Sequence, residues 1–252
     1  MSTPSGLHFV PGPGSDAEQR DFVRLRQEGD CSVVTCAHAM QDCFGSLWPA
    51  GSSAMLDAFD ACWRSRDPGS ADGLECAFEA AGSAFRQCAA LHRAETDDGG
   101  LGGTPVGLLL AAVVRGRAVS VHWNGVDTAA LLREGQVVMQ TEPLTLRGEV
   151  RDQIGHGGET LPDIITGGFR LGSERERPPR STTFEARSGD VVAVVKHPRL
   201  DGPCLEPEAV APIVAASSSL QAAAVEVVRR ALDDASRTRR SGLAVLLEVG
   251  HP

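Results

Sequence analysis

Residues 31–42 read CSVVTCAHAMQD, and the fold turns on how this stretch is read. Ser32-Val33-Val34-Thr35-Cys36-Ala37 is a short apolar, β-branched run, the composition of a buried strand. It stops at His38-Ala39-Met40 and turns polar. Strand ends that open into small-residue turns often carry a protein's chemistry, so a histidine at this end asks for an explanation.

Working outward, Phe22-Val23-Arg24-Leu25 alternates like a partner strand across the turn 27–30. Met55, Leu56, Phe59, Cys62 and Trp63 recur at helical spacing within 52–65, and Phe78, Ala81, Phe85 and Cys88 do so within 74–91. Four strand-like runs follow: Val106–Val114, Ala118–Trp123, Ala129–Arg133 and Val137–Thr141. Tight turns at Arg115-Gly116-Arg117 and Glu134-Gly135 predict an antiparallel meander. Residues 147–187 are polar and rich in Gly, Pro and Arg, and read as loop. Asp190–Val195 is a strand, Leu220–Leu232 a helix and Leu243–Val249 a last strand. The order predicts an α+β layered sandwich with helices covering strands. The glycines of DDGGLGGT (97–104) lack the Lys-Ser/Thr of a P-loop and the spacing of a dinucleotide fingerprint, and read as a connector.

The bulk numbers bound the function. The 252 residues are 42% hydrophobic and 23% charged, enough for a large core. With no tyrosine and few other aromatics, that core is aliphatic. A net charge of −9 excludes a nucleic-acid-binding surface; the arginines at 229, 230, 237, 239 and 240 share their segment with Glu226, Asp233 and Asp234 and read as a solvated helix face. The start, MSTPSGLHFVPGPG, has no signal-peptide pattern, and Val106–Val114 is too short to span a bilayer, so no membrane role is expected. Seven scattered cysteines without a CxxC pair imply reduced thiols in a cytoplasmic protein. The lysine-poor, Ala/Arg/Gly-rich composition suggests a bacterial source.

From about Gly14 to Val249 the chain resembles the metal-dependent serine/threonine phosphatases, the PPM family or protein phosphatase type 2C. The family's opening Gly-x-Arg-x-x-Asn-Glu-Asp is matched by Gly14-Ser15-Asp16-Ala17-Glu18-Gln19-Arg20-Asp21, and its Val-Ala-Asp-Gly-Met-Gly-Gly by Cys36-Ala37-His38-Ala39-Met40-Gln41-Asp42. Its Gly-Thr-Thr strand start is similar to Gly103-Thr104-Pro105, and its Gly-Asp-Ser-Arg hairpin to the stretch from Gly125-Val126-Asp127-Thr128 to Gly135. The later Gly-Asp strand with its Ser-Asp-Gly resembles Gly189-Asp190 through Lys196-His197-Pro198, and the last Asp-Asn-x-Thr resembles Ser241-Gly242-Leu243-Ala244. The resemblance implies a four-layer α-β-β-α sandwich with central antiparallel sheets. It spans a single phosphatase-like domain over 14–250, after a flexible N-terminus over 1–13.

The scaffold matches; the ligands do not. The family resembles a clamp on two hard cations, Mg²⁺ or Mn²⁺, held by aspartates whose bridging water attacks a phosphoester. On that mapping the bridging aspartate is His38, the Ser-Asp-Gly aspartate is His197, the last is Ser241, the hairpin aspartate is Val126 and the phosphate-binding arginine is Asp16. Only Asp21 survives; a one-residue shift would recruit Asp127 or Asp42. Neutral imidazoles do not offset two close dications, and Asp16 would repel a phosphate dianion. The resemblance therefore predicts a protein without ordinary metal-dependent phosphatase chemistry and without a cofactor. It would be a regulatory, binding pseudophosphatase whose partner is a kinase, a phosphatase or another enzyme.

The alternative is a repurposed enzyme acting on a small-molecule substrate. His38, His197 and Asp21 would then converge on a single divalent metal, Zn or Fe, or perform acid–base work. Cys36 lies two residues before His38, on the same strand face, and a Cys–His nucleophile pair is conceivable there, although a buried structural thiol is the simpler reading. His122 and Asp127 are second-tier pocket residues with Cys36. His156 reads as an exposed loop side chain, and His8, His92 and His251 carry no signal. A third, weaker expectation is residual phosphatase activity with one metal.

Overall fold

Long β-branched runs pair antiparallel into two stacked sheets, and helices cover the two outer faces. The computed structural model describes residues 5–10, 22–41, 48–66, 71–96, 104–154, 164–172, 177–195, 205–234 and 242–250. The strands are β1 (Ser5–Val10), β2 (Val23–Glu28), β3 (Cys31–Met40), β4 (Val106–Arg115), β5 (Ala118–Trp123), β6 (Thr128–Arg133), β7 (Gln136–Gln140), β8 (Phe169–Arg170), β9 (Arg180–Glu185), β10 (Val191–Val195) and β11 (Gly242–Glu248). The helices are α1 (Pro49–Arg64), α2 (Ala71–Thr96), α3 (Leu146–Ile154), α4 (Pro207–Ala216) and α5 (Leu220–Asp234). One sheet runs β1-β11-β10-β6-β7; the other runs β2-β3-β4-β5-β9, with β8 on β4.

Strand alternation sorts the side chains into layers. On β3, Val33, Ala37 and Ala39 pack against Met55, Phe59, Phe78 and Phe85 of α1 and α2. Val34 and Cys36 point the other way and meet Val192, Val194, Val245 and Leu247 of the facing sheet. Val210, Val227 and Val228 of α4 and α5 cover the far side of that second sheet. The result is the four-layer α-β-β-α sandwich, each fully buried Val or Leu contributing about 1.5–3 kcal/mol.

Several expectations are corrected. The four central runs are not one meander: β4–β5 and β6–β7 are hairpins in different sheets, and β5 pairs with β9. The chain changes sheet at Asn124–Asp127, where Asn124 is buried and its Oδ1 accepts the Leu109 N–H at 2.7 Å. Residues 5–10, read as part of a flexible start, form β1, paired antiparallel with β11. The polar stretch 147–187 contains α3 from its second residue, β8 and β9. Its serines and threonines suit the edge strand β9, whose alternate residues face water. Helix α4, not anticipated, begins on Pro207, where the missing N–H costs nothing.

Strand β3 does not stop before His38. It pairs with β4 as far as Met40↔Val106, with His38 opposite Leu108. On its other edge β2 reaches only Cys36, and the start of α1 takes over. The Trp48 N–H donates to Ala39 O at 2.7 Å, and the Ala39 N–H donates to Ser52 Oγ at 2.8 Å. With both edges satisfied, the backbone stays extended through the histidine.

Candidate functional site

His38 lies on the inter-sheet face of β3, 1% exposed, where the chain crosses from one sheet to the other. The crossover delivers Asp127, 4% exposed, to meet it. His38 Nε2 lies 3.0 Å from Asp127 Oδ2. The approach is not aligned as a hydrogen bond, and neither imidazole nitrogen has a hydrogen-bond partner. The Phe22 ring packs on the imidazole at 5.6 Å between centroids. A buried polar ring left in this state is costly, and such groups concentrate at functional or remodelled sites.

The crossover is held from several sides. The Leu144 N–H donates to Gly125 O at 3.0 Å, and the Asn124 N–H to Leu109 O at 3.1 Å. Gly167 packs so closely that a Cβ there would lie 2.2 Å from Asn124 O. Val126, next to Asp127, is fully buried with Met40, Val106 and Leu108. In sheet register Thr128 pairs with Val195, the last residue of β10, so the end of β10 borders the same place.

Asp21 and His197, expected to join His38, lie outside the described residues, as do Asp16, Asp42, His156 and Ser241. Phe22 and Val195, their nearest described neighbours on one side, both border the His38–Asp127 contact region. Asp127, assigned a secondary place, is the carboxylate that meets the histidine. Cys36 shares the strand face with His38 and is sealed in the inter-sheet core, as a structural thiol would be. His122 is on the opposite face of its sheet: Val121 and Trp123 enter the inter-sheet core, so His122 points outward, under α2. It lines a separate cavity. Burial holds its imidazole below the ordinary histidine range, with Glu75 pulling the other way. Asn124 and Phe22 also shape the site, and the string Trp123-Asn124-Gly125 is the sequence signal for the first.

Among the described residues no group of three His, Cys, Asp or Glu side chains is placed to hold a metal ion. Among the described residues the donors at the crossover are one imidazole and one carboxylate, with a valine beside them.

No protein-family model matches the chain, and no curated protein is significantly similar in sequence. Solved structures do match along its whole length. The Mycobacterium tuberculosis serine/threonine phosphatase PstP/Ppp is 19% identical, superposes with a TM-score of 0.69 and covers 100% of both chains. This chain has the PPM phosphatase fold. The S. agalactiae serine/threonine phosphatase superposes with a TM-score of 0.74 at 13% identity, over 97% of this chain and 99% of that one. The catalytic domain of the serine/threonine protein phosphatase PstP in complex with two manganese ions gives a TM-score of 0.66 at 17% identity, over 98% of this chain and 97% of the other. No helix among the described residues is long and apolar enough to cross a membrane.

Proposed function

We propose that this PPM-fold chain is a pseudophosphatase: a regulatory protein that binds a partner enzyme and does not hydrolyse phosphoesters with paired metals. The observation that carries the reading is the buried His38–Asp127 contact at the sheet crossover. Two Mg²⁺ or Mn²⁺ ions demand several anionic oxygens. The described donors are one imidazole and one carboxylate, and the neighbouring Val126 is apolar. That set does not fit a pair of hard dications. With both side chains almost wholly buried, a phosphoester also has no path to them. On this reading the partner is a kinase, a phosphatase or another enzyme in a bacterial cytoplasm, in keeping with the reduced thiols Cys31, Cys36, Cys62, Cys76 and Cys88.

The test is turnover of nitrophenyl phosphate and of a phosphothreonine peptide with added Mn²⁺. We expect rates indistinguishable from buffer. Manganese-dependent hydrolysis that disappears in Asp127→Asn would refute the proposal.

One observation favours a second reading. Two adjacent ligands of one Zn²⁺ or Fe²⁺ ion, each about 2.0–2.1 Å from it, lie about 3 Å apart when the angle between them is near 90°. The 3.0 Å between Nε2 and Oδ2 suits such a pair. A repurposed single-metal enzyme would then use His38 and Asp127, with Asp21 or His197 as the third ligand. Elemental analysis showing one zinc or iron per chain, lost in His38→Ala, would establish it; metal-free protein would end it.

A further inference from the structure

A cavity lies on the outer face of the six-stranded sheet, where α2 ceases to cover β5 and β9. It measures about 560 Å³, within the range of small-ligand pockets. Its helical side carries Glu75, Phe78, Glu79 and Arg86; its far wall is Arg177-Pro178-Pro179, with Ser181. Between them lie His122 and Phe169. Ser181 sits opposite His122 in the β5–β9 ladder, so both face the cavity from one side of the sheet. Alternation puts this cavity on the other face of the sheet from His38, and its occupancy is independent of the function proposed above.

Charge selects the ligand. Arg177 is already paired with Glu149, and Arg86 lies over the Phe169 ring, 5.8 Å from its centroid. Glu75 and Glu79 are exposed one helical turn apart, and neither makes an ion pair among the described residues. Like charges at this spacing disfavour the helix, a cost relieved when a cation sits between them. Burial favours the neutral form of His122, which leaves the acids uncompensated from that side. The floor is aromatic: Phe78 lies 5.5 Å from Phe169 and 6.2 Å from the His122 ring. Aromatic faces attract cations, and Arg86 on Phe169 shows that this ring already takes a guanidinium from within the chain. The proline wall offers apolar surface and no backbone N–H donor for an anion.

We propose that this groove binds an organic cation, a guanidinium or primary ammonium on an apolar stem, as an arginine or lysine side chain of a bound peptide presents. The cationic head meets Glu75 and Glu79, and the stem lies along Pro178-Pro179 at the mouth of the cavity.

Calorimetric titration of the full chain tests this with two probes, agmatine and a capped Ala-Pro-Arg-Ala peptide, beside the same peptide with citrulline in place of arginine. We expect saturable binding of one probe per chain and none of the neutral citrulline peptide. Affinity should fall at least tenfold in the double variant Glu75→Gln/Glu79→Gln and stay unchanged in Glu208→Gln, which lies elsewhere on the surface. Both glutamates are exposed, so the variant should fold, which its melting curve checks. Tighter binding of the peptide than of agmatine assigns the site to a protein ligand; equal binding assigns it to small amines, and either upholds the cation site. No saturable binding at millimolar probe, or equal binding by the double variant or by the citrulline peptide, overturns it.

Discussion

Two buried aspartates mark opposite ends of the β6–β10 pairing and are treated differently. At one end Asp190 accepts two hydrogen bonds from Arg133, Nε at 2.8 Å and Nη2 at 2.7 Å, and a third from the Arg187 N–H at 2.7 Å. At the other end Asp127 faces an imidazole with neither nitrogen hydrogen-bonded. The first end is a satisfied, stabilising closure. At the second, the buried imidazole has no hydrogen bond to either nitrogen.

The glycines beside the two ends give the largest predicted contrast. Gly167→Ala drives a Cβ against the Asn124 carbonyl and the Leu144 side chain, so the crossover must move. We expect a loss of about 3 kcal/mol or more in urea unfolding, with Asp127 displaced. Gly189, beside Asp190, has φ +85° but nothing within 4 Å of a Cβ, so Gly189→Ala should cost only about 1–2 kcal/mol. Equal losses would mean that the crossover is softer than its packing implies.

Next in size is the ion pair. Arg133→Ala leaves the buried Asp190 carboxylate with one backbone donor and should lower the melting temperature by roughly 5–10 °C. A pH effect follows. Burial alone would raise the Asp190 carboxyl, but the bonds from Arg133 and Arg187 more than reverse this and hold it below 3.8. The native state therefore takes up that proton less readily than the unfolded chain. The stabilisation is complete above the ordinary carboxylate range and is lost as pH falls through the lowered value. Acid unfolding curves of the wild type and Arg133→Ala should converge at low pH; parallel curves would remove Asp190 as the cause.

The smallest effect is expected at the open end. His38→Leu replaces a ring that makes no hydrogen bond by an apolar side chain, so its cost should stay below that of Arg133→Ala in the same urea experiment. A loss as large as that of Arg133→Ala would show that the imidazole is a structural staple.

Legibility in the sequence follows the same division. The aliphatic runs of β3, β4 and β10 and the apolar stripes of α1 and α2 were plain, because buried surface writes its period into the sequence. Strand pairing was not: Asn124-Gly125 looks like a hairpin turn, and only tertiary packing on Leu108 and Leu144 makes it a crossover between sheets. His38 stood out for its place in a strand. The resemblance points to Asp21 and His197 as its partners, whereas the crossover brings in Asp127. The outer groove was legible only as the lone His122, since Glu75 and Glu79 look like an ordinary solvated helix face until Phe169 and the two prolines close around them.

The most direct measurement is a manganese titration of the purified, chelator-treated protein by calorimetry, with metal content determined on the same sample. The proposed loss of a dimetal cradle predicts no saturable heat and no stoichiometric manganese. Two manganese ions bound per chain at micromolar concentration would contradict it.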